Sequence, residues 1–251
     1  MIIDLDRDKF SNLLDIFELI CKLCSDVSII NGRIRQPSDR KTSIFDINLT
    51  DLFNIDNIPT IYLTGIASKI GIFNPFKNQK RDVKIAIEDT RYVFSDDFTN
   101  IILTKPLERY MSNPYINEED FKLKLDLSDD GIIFEKVLDK MLIDRLSAYH
   151  RFVSASSIRI ECRNNMAQFC VSAQDTSSSA TNISLPKLQL NKDINCDYSF
   201  TMMPFLLSDS CVELKGYIRN DDKIVINLNM EMGDIPISVW VLGTMITSED
   251  I

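Results

Sequence analysis

The chain of 251 residues is 45% hydrophobic and 26% charged, and its formal net charge is −9. Such a composition argues against a chain that is disordered throughout, and such a length suits two domains of ordinary size or one large all-β domain. The negative net charge argues against a protein that binds nucleic acid over its whole surface, because general affinity for phosphates needs a basic field. Any contact with nucleic acid is therefore expected to be local.

The sequence has features of a cytoplasmic protein. No apolar run reaches the roughly 20 residues that cross a bilayer, and the chain begins MIIDLDRDKF, with acids where a signal peptide needs basic residues. The six cysteines are not densely spaced, which does not favour a disulfide framework. We therefore expect a cytoplasmic location and reduced thiols.

The first half of the chain predicts a helix, several short strands and a second helix. At residues 7–24 apolar side chains recur at helical spacing, which predicts an amphipathic helix. Asn31-Gly32 suits the positive φ angles of a two-residue turn, so residues 27–30 and 33–36 are predicted to form a hairpin. The remaining predicted elements are a strand through Phe45, Ile47 and Leu49, a short helix at residues 63–73, and strands at residues 83–87, 92–94 and 98–104.

Residues 105–119 differ from the segments on either side. They read KPLERYMSNPYINEE, with two prolines and no sustained period, which indicates a linker. Its apolar side chains, Leu107, Tyr110, Met111 and Tyr115, are unusual for a connector that is merely solvated. The predicted domains are therefore residues 1–104 and 120–251, with residues 105–119 as the interdomain connector.

The second half repeats the order of the first. Alternation from Phe121 to Leu127 predicts a strand, and apolar residues from Phe134 to Val153 predict a helix after it. A hairpin is predicted across the turn at residues 163–166. The remaining predicted elements are strands near residues 183–185 and 198–200, a short apolar segment at 202–210, and strands at 212–218, 224–228 and 237–241. This order predicts an internal repeat, and two unrelated α+β domains are the alternative.

No cluster of residues in the sequence suits catalysis or metal binding. Cys21 and Cys24 lack the second pair of ligands that a zinc site needs, and both fall on the apolar stripe of the first predicted helix. His150 is the sole histidine, and the glycine motifs that bind phosphates are absent from the sequence. Acid pairs such as Asp96-Asp97 fall at predicted turns, which favour aspartate for backbone hydrogen bonds. We expect no catalytic residue, no metal and no cofactor.

Positive charge is concentrated on and beside the predicted helices. In the second-half helix, Lys136, Lys140 and Arg151 share a face opposite the apolar stripe. Such helices would attract phosphates locally in an acidic chain, although solvated helix surfaces also carry lysine. The basic set comprises Lys9, Lys22, Lys69, Lys77, Lys80, Arg81, Lys136, Lys140, Arg145 and Arg151.

Two segments resemble a known family, the DNA sliding clamps. The run SIFDINLTDLFNIDNIPTIYLTGIASKIGIFN resembles the first domain of clamps from T-even-type phages. Within it, Ser68-Lys69-Ile70 resembles the S-K-I of eukaryotic clamps, the proliferating cell nuclear antigens. The run YSFTMMPFLLSDSCVELKGYIRNDDKIVINLNMEMGDIPISVWV resembles the end of the second clamp domain, although Pro204 and the insertion DTSSSATN depart from the family pattern.

The resemblance implies a DNA clamp fold and a function in replication. Each of two α+β domains would have antiparallel sheets with two helices on the inner face. A ring of six such domains needs three copies of a two-domain chain, which implies a homotrimer. The ring would encircle duplex DNA without sequence preference, tether a DNA polymerase and be loaded by a separate ATP-driven loader. The main alternative is a β-rich structural protein, such as a virion component without DNA contact, and a weaker one is a hydrolase built from scattered acids.

The resemblance also implies the positions of three sites. The basic set would face the DNA. An edge strand with Ile101 and Leu103 would pair with a strand of the next subunit that carries Ile183 and Leu185. A pocket for a partner's short C-terminal peptide would be lined by Pro106, Leu107, Tyr110, Met111, Trp240 and Leu242.

Overall fold

A computed structural model describes residues 1–53, 58–79, 81–152, 157–171, 183–184, 187–208 and 212–246. The chain forms two compact units. Unit 1 comprises Met1–Asn117 and Glu231–Ile237, and unit 2 comprises Glu118–Met230 and Ser238–Ile251. Most of the predicted connector therefore lies within unit 1.

Unit 1 contains eight strands and three short or medium helices in its described residues. The elements are β1 (Ile2–Leu5), α1 (Arg7–Ile20), β2 (Val27–Ile29), β3 (Arg33–Pro37), β4 (Ser43–Asn48), α2 (Thr50–Phe53), β5 (Ile61–Leu63), α3 (Asn74–Gln79), β6 (Val83–Ile87), β7 (Arg91–Ser95) and β8 (Asn100–Thr104). Single 3₁₀ turns occur at Ile66–Ser68, Ile70–Phe73 and Glu108–Tyr110.

Helix α1 begins where the sequence predicts it and anchors the core of unit 1. The side chain of Asp6 accepts a hydrogen bond from the backbone N–H of Lys9 at 2.9 Å, which caps the first turn. The apolar stripe of α1 is buried, and the ring of Phe10 packs edge-on against those of Phe73 and Phe76. This packing holds the segment after β5 against α1.

The turn at Asn31-Gly32 is confirmed, but the strands beside it separate. Asn31 and Gly32 have φ angles of 51° and 72°, as a two-residue turn requires. One bridge, between Ile30 and Arg33, closes the turn. Beyond it, β2 pairs with β5, whereas β3 pairs with β4. The predicted hairpin is therefore a turn that directs two strands into different sheets.

The helix predicted at residues 63–73 is wrong. This segment contains the end of β5 and two 3₁₀ turns, and the α-helix begins only at Asn74. Gly65 adopts a φ of 58°, which an α-helix does not accommodate, and its N–H donates to Asp26 at 2.7 Å. Pro75 lies in the first turn of α3, where its missing N–H costs nothing.

Unit 2 contains the longer strands. Its elements are α4 (Glu118–Leu125), β9 (Leu127–Leu138), α5 (Lys140–Phe152), β10 (Ser157–Arg163), β11 (Met166–Val171), β12 (Ile183–Ser184), β13 (Leu188–Gln189), β14 (Asp197–Thr201), β15 (Val212–Arg219), β16 (Ile224–Met232), β17 (Ile235–Leu242) and β18 (Thr244–Ile246). A 3₁₀ turn at Met203–Leu206 begins with Pro204 and buries Phe205.

Two adjacent predictions in unit 2 are wrong in type. The alternating segment predicted as a strand is helix α4, in which Phe121 and Leu125, four residues apart, are buried while Leu123 is 74% exposed. Three acids in its first turn and two lysines in its last favour a helix. The next segment, predicted as a helix from Phe134, is strand β9, and the helix α5 begins after Asp139, whose side chain caps it.

The hairpins of unit 2 are confirmed. β10 pairs with β11, with Ile160 opposite Phe169, and Asn164 and Asn165 at the turn both have positive φ angles. β15 pairs with β16 across a turn in which Asp222 has a φ of 60°.

The predicted α+β repeat is confirmed by the sheet topology. Unit 1 has a sheet in the order β1-β6-β7-β8, and unit 2 has the corresponding order β9-β15-β16-β17. All of the described pairings are antiparallel. A second sheet of unit 2 has the order β12-β11-β10-β14-β18, and β18 was not predicted.

Candidate nucleic-acid interface and assembly edges

The predicted basic residues of unit 1 lie on and after its helices. Lys9 is half-buried on α1, and Lys22 is exposed just after it. Lys69 is exposed between two 3₁₀ turns, and no salt bridge to it is found within the described residues. The apolar side of α1 is buried, whereas its polar residues from Lys9 to Glu18 are half-buried.

Lys77 is already paired within unit 1. Its Nζ donates to Asp15 Oδ1 at 2.7 Å and to Glu18 Oε2 at 3.0 Å. The hydrogen bond to Asp15 is the main reason that the pKa of Lys77 is raised. Two carboxylates therefore surround one ammonium group, which makes this site unfavourable for a phosphate.

Arg81 also has an intramolecular contact. Its guanidinium lies over the ring of Phe98, 4.1 Å from the ring centre, and Phe98 is itself strongly exposed. No periodic signal marks this pair in the sequence, because Phe98 lies in a loop between β7 and β8. Lys80 lies outside the described residues.

In unit 2, helix α5 carries most of the predicted basic residues. Lys140, Arg145 and Arg151 are exposed, whereas Leu142 and Leu146 are buried. Lys136 is not on this helix. It is half-buried on β9 opposite Leu214, because the helix begins later than predicted.

Both strands predicted to join subunits lie at sheet edges. β8 is the last strand of its sheet in the described residues, and β12 is the last of its own. Ile101 and Leu103 are half-buried, and the exposed apolar residue of β8 is Ile102, 57% accessible, which the prediction missed. The side chain of Ile183 and all of Leu185 lie outside the described residues.

A cleft of about 300 Å³ in unit 1 brings two predicted sets together. Lys69, predicted to face DNA, lines it together with Leu103 of the predicted subunit edge. The other lining residues are Leu63, Thr64, Ile66, Ile102 and Thr104. The cleft therefore opens beside the free edge of β8.

The residues predicted to line the peptide pocket are divided between the two units. In unit 1, Leu107 and Tyr110 are exposed, Pro106 is half-buried and Met111 is buried. The Arg109 guanidinium stacks on the ring of Tyr110 at 4.9 Å. The exposed apolar side chains are thus confined to the first part of the connector.

The second part of the connector is fixed in unit 1 by buried Asp26, which the sequence did not single out. Its carboxylate accepts hydrogen bonds from the N–H groups of Gly65 and Ser112. Asn113 accepts from the N–H of Asp26 at 3.2 Å and donates to the carbonyl of Pro37 at 3.0 Å.

In unit 2, Trp240 and Leu242 are half-buried on β17. The ring of Trp240 contacts that of Phe121 edge-on, with centres 6.1 Å apart, and that of Tyr217 at 5.4 Å. Phe121 and Tyr217 were missed because the sequence does not show which strands and helices share a face.

Metal ligands and reactive thiols are two kinds of site that could support catalysis in the part of the chain that the structure describes. No group of three or more His, Cys, Asp or Glu residues among them could hold a metal ion. Burial raises the pKa of Cys21, Cys24 and Cys162 to about 12, so these thiols stay protonated and unreactive at neutral pH. In the described part of the chain, no helix has the length and apolar character to cross a membrane.

Sequence comparisons find no relative of this chain. No family model matches it, and no curated protein matches it by sequence.

Solved structures do match over nearly the whole chain. The proliferating cellular nuclear antigen from Entamoeba histolytica has a TM-score of 0.63 at 10% identity, with 97% of this chain and 98% of that chain covered. A structure described as the C-terminal region of FEN-1 bound to A. fulgidus PCNA has a TM-score of 0.62 at 13% identity, with 98% and 99% covered. A putative DNA polymerase III beta subunit from Eubacterium rectale has a TM-score of 0.61 at 14% identity, with 97% of this chain and 65% of that chain covered.

The fold is that of the DNA sliding clamps. The fold-level resemblance predicted from the sequence is therefore confirmed, and the T-even phage type remains a prediction.

Proposed function

We propose that this chain is a sliding clamp, a ring that encircles duplex DNA and tethers a DNA polymerase without catalysing a reaction itself. The observation that carries the proposal is the match to clamp structures over 97–98% of the chain, together with the internal repeat of its sheets. The clamp would act wherever the DNA is replicated, which is the host cytoplasm if the protein comes from a phage.

The number of units supports a homotrimer. A ring of six units needs three copies of a chain with two. The chain aligns with 65% of the beta-subunit chain, as two units of a longer clamp would.

Helix surfaces are the best candidates for DNA contact. Lys22, Lys69, Lys140, Arg145 and Arg151 are the basic residues of the predicted set that are exposed and have no salt bridge within the described residues, and half-buried Lys9 lies beside them on α1. Arg81 is half-buried and its guanidinium lies over the ring of Phe98. A closed ring stays on DNA because it encircles the duplex, so it needs only weak, sequence-independent phosphate contacts, which allow it to slide. Lys77, with its two carboxylates, and Lys136, on a strand, are weaker candidates.

Ring closure would join the free edges of β8 and β12. An edge strand presents unpaired backbone groups, and head-to-tail pairing of different edges closes a ring when the rotation permits. Ile102 and Leu103 on β8 would meet the strand that carries Ile183 and Leu185 in the next copy.

A partner segment would bind to exposed apolar side chains. The A. fulgidus clamp is bound to the C-terminal region of FEN-1. In this chain, the candidates for such a segment are exposed Leu107 and Tyr110 with half-buried Pro106 on the connector, and half-buried Trp240 and Leu242 on β17. Met111 is buried and is a weaker candidate. The polymerase and a separate loader would be the partners that supply it.

One experiment tests the function as a whole. Native mass is measured first, and then DNA synthesis on a primed circular template is followed with a polymerase and clamp loader from the same source. A trimer that lengthens the products supports the proposal. A trimer with no effect on synthesis would favour the structural, β-rich alternative, and a monomer that never assembles with the loader present would contradict the ring.

A further inference from the structure

The outward-facing apolar side chains of the main sheet of unit 1 lie in one row. Ile2 lies directly opposite Ala86, which lies opposite Val93. Val93 in turn lies opposite Ile102. Directly paired residues of an antiparallel sheet point to the same face, so these side chains are neighbours across four strands. Ile2 is 64% exposed and Ile102 57%, whereas the two residues between them are half-buried. We call these four residues the apolar row.

Polar residues form the next row on the same face, which consists of Asp4, Lys84, Ser95 and Asn100. On the other side of the apolar row, Arg91 lies opposite Thr104. The apolar side chains of this face are therefore gathered into a stripe that runs across the strands, with polar residues on both sides.

The fold itself does not require an apolar row at this place. Ile2 precedes the aspartate that caps α1 by four residues, and Glu135 precedes the aspartate that caps α5 by the same number. In unit 2 the row that begins at Glu135 continues with Lys215 and Asn227. The same position in the repeated sheet is thus polar, so the apolar row is a feature of unit 1 alone.

A cleft of about 890 Å³ in unit 1 adjoins this face. It lies where β1 and β7 end and β6 begins, whereas the connector starts at the other end of the strands, where the N–H of Lys105 donates to the carbonyl of Thr90. The polar lining consists of Arg81, Lys84, Ser95 and five aspartates, Asp4, Asp6, Asp82, Asp96 and Asp97. Since Asp4, Lys84 and Ser95 also belong to the polar row, the cleft and the apolar row are continuous.

The cleft keeps an excess of negative charge. Within the described residues none of its five aspartates forms a salt bridge, although two cationic side chains line the same cleft. Asp6, Asp82 and Asp96 each accept a backbone N–H, at 2.9, 3.0 and 2.8 Å, which fixes the carboxylates without neutralising them. No group of acids in the described part of the chain could hold a metal ion. The cations that suit the cleft are therefore basic side chains.

The spacing of the apolar row matches an α-helix. Adjacent strands are about 4.8 Å apart, so the row spans roughly 14 Å. Side chains on one face of a helix recur about every 5.4 Å, so about three turns of an amphipathic helix fit across the strands. Side chains on one face of an extended segment recur only about every 6.6 Å, which fits less well. The small side chain of Ala86 leaves room for a large apolar residue beside Ile2.

We propose that the apolar row and the aspartate-lined cleft together bind a basic amphipathic helix of a partner protein. The apolar stripe of the helix would lie on the row, and its basic residues would reach the aspartates. This surface is distinct from the connector surface, and binding to it needs neither DNA nor a closed ring. Ile102 also belongs to the proposed subunit edge, so the variants below leave it unchanged.

The test uses a designed helical peptide as the probe, the amide of ALKAALKALKAALK with fluorescein at its N-terminus. Its leucines share one helix face, and its lysines lie beside them. The control peptide ALALAKAKKLALAK has the same composition and charge, but its leucines are spread around the helix. Fluorescence anisotropy with the full-length protein should show that the probe binds at least about tenfold more tightly than the control peptide.

The apolar row is tested with Ile2→Thr combined with Val93→Thr, which keeps the β-branched shape that suits a strand. This double variant should bind the probe at least about tenfold more weakly than the wild type, because the apolar contact is lost. Val137→Thr, changed at a 56% exposed position on the edge strand β9, is the matched control and should bind like the wild type. Thermal denaturation checks that both variants are folded.

The cleft is tested with Asp4→Asn combined with Asp97→Asn, both at exposed positions. Probe binding should weaken at least about threefold at about 50 mM NaCl, and less at about 500 mM, where charges are screened. Asp51→Asn combined with Asp129→Asn gives the same change in net charge at exposed positions outside the cleft, and it should have a smaller effect.

Several results would overturn the proposal. They are equal binding of the two peptides, no binding of the probe to the wild type up to about 1 mM, equal effects of Val137→Thr and the double Thr variant, or equal effects of the two Asn pairs. A changed native mass of the double Thr variant would assign the row to a second copy of this chain and so exclude a partner helix. None of these measurements uses DNA synthesis, so failure of the proposed clamp function would leave a positive result intact.

Discussion

The carboxylate of Asp26 accepts a hydrogen bond from the backbone N–H of Ser112 at 2.5 Å. The other oxygen accepts from Gly65 at 2.7 Å, so one buried side chain holds both the start of the 3₁₀ segment and the connector. Asp26→Ala would leave two N–H groups without their acceptor. We expect it to lower the free energy of unfolding by about 2–4 kcal/mol, measured by urea denaturation. Asp89→Ala, at an exposed turn, serves as the control, and a change within about 0.5 kcal/mol in both would contradict this role.

Gly216 lies directly over Phe134, so a methyl group there would overlap the ring. We expect Gly216→Ala to destabilise the protein by about 1–3 kcal/mol through overpacking. Gly71→Ala is the matched control, because the nearest atom to its added carbon is 3.7 Å away. The double variant Gly216→Ala with Phe134→Leu should recover part of the loss in thermal denaturation. Simple additivity of the two changes would show that the ring is not responsible.

Charge reversal on the helices tests the DNA contacts. Lys69, Lys140 and Arg151 changed together to Glu should leave the mass of the trimer unchanged but shorten the products of processive synthesis. Removing each phosphate contact should also reduce the slope of log affinity against log salt by about 0.9. The control changes exposed Lys41, Lys84 and Lys187 to Glu, with the same change in net charge.

Equal losses in the two triple variants would show a general effect of charge, and full processivity in the first would exclude these three residues from DNA contact. Loss of the trimer in the first variant would instead assign Lys69 to the subunit edge, since it lines the cleft beside β8.

The edge of β8 can be tested with two equally exposed residues. Ile102 on β8 is 57% accessible and Val137 on β9 is 56% accessible, and both are on edge strands. A buried charge is costly, so Ile102→Asp should convert trimers to monomers in sedimentation velocity, whereas Val137→Asp should not. Dissociation by both variants, or by neither, would place the subunit contact elsewhere.

Buried thiols make the free energy of unfolding depend on pH in the alkaline range. Burial raises the pKa of Cys21, Cys24 and Cys162 to about 12, above the value of about 8.5 for a thiol in an unfolded chain. Their contribution to stability is complete below the unfolded pKa and is lost as pH rises towards the folded pKa. Unfolding by urea should therefore become easier from about pH 9 upward. At pH 8 iodoacetamide should leave Cys24 and Cys162, which are fully buried, unlabelled in the folded protein and label them in urea, as mass mapping would show.

The residue types at turns and the regular spacing of buried apolar residues account for the elements that the sequence predicted correctly. Asn31-Gly32 and Asn164-Asn165 need positive φ angles that few other residues adopt, so their position marks the turns directly. Helix α1 has a complete apolar stripe and a capping aspartate, both of which are local signals. The order of such elements was enough to predict the repeat.

The failures have a common physical origin in tertiary contacts. Phe121, Leu123 and Leu125 alternate like a strand, but they lie on a helix on which only Phe121 and Leu125, four residues apart, are buried. Strand β9 contains two adjacent buried residues, Ile133 and Phe134, so its buried residues do not alternate as those of a regular strand do. The sequence alone therefore did not indicate a strand, which is defined by its pairing with β15. For the basic set, the sequence indicated which residues lie on or near helices. It did not show that two carboxylates of α1 already bind Lys77.

Unit 1 is discontinuous in sequence, since Glu231–Ile237 belongs to it together with Met1–Asn117. During synthesis, the ribosome must therefore translate the chain as far as Ile237 before the first unit can be completed. Unit 2 begins to emerge while unit 1 still lacks these residues, so the usual order of N-terminal folding first is reversed at the final step. A nascent chain arrested at residue 230 should consequently be bound by chaperones, and its release should coincide with translation of the last segment of unit 1.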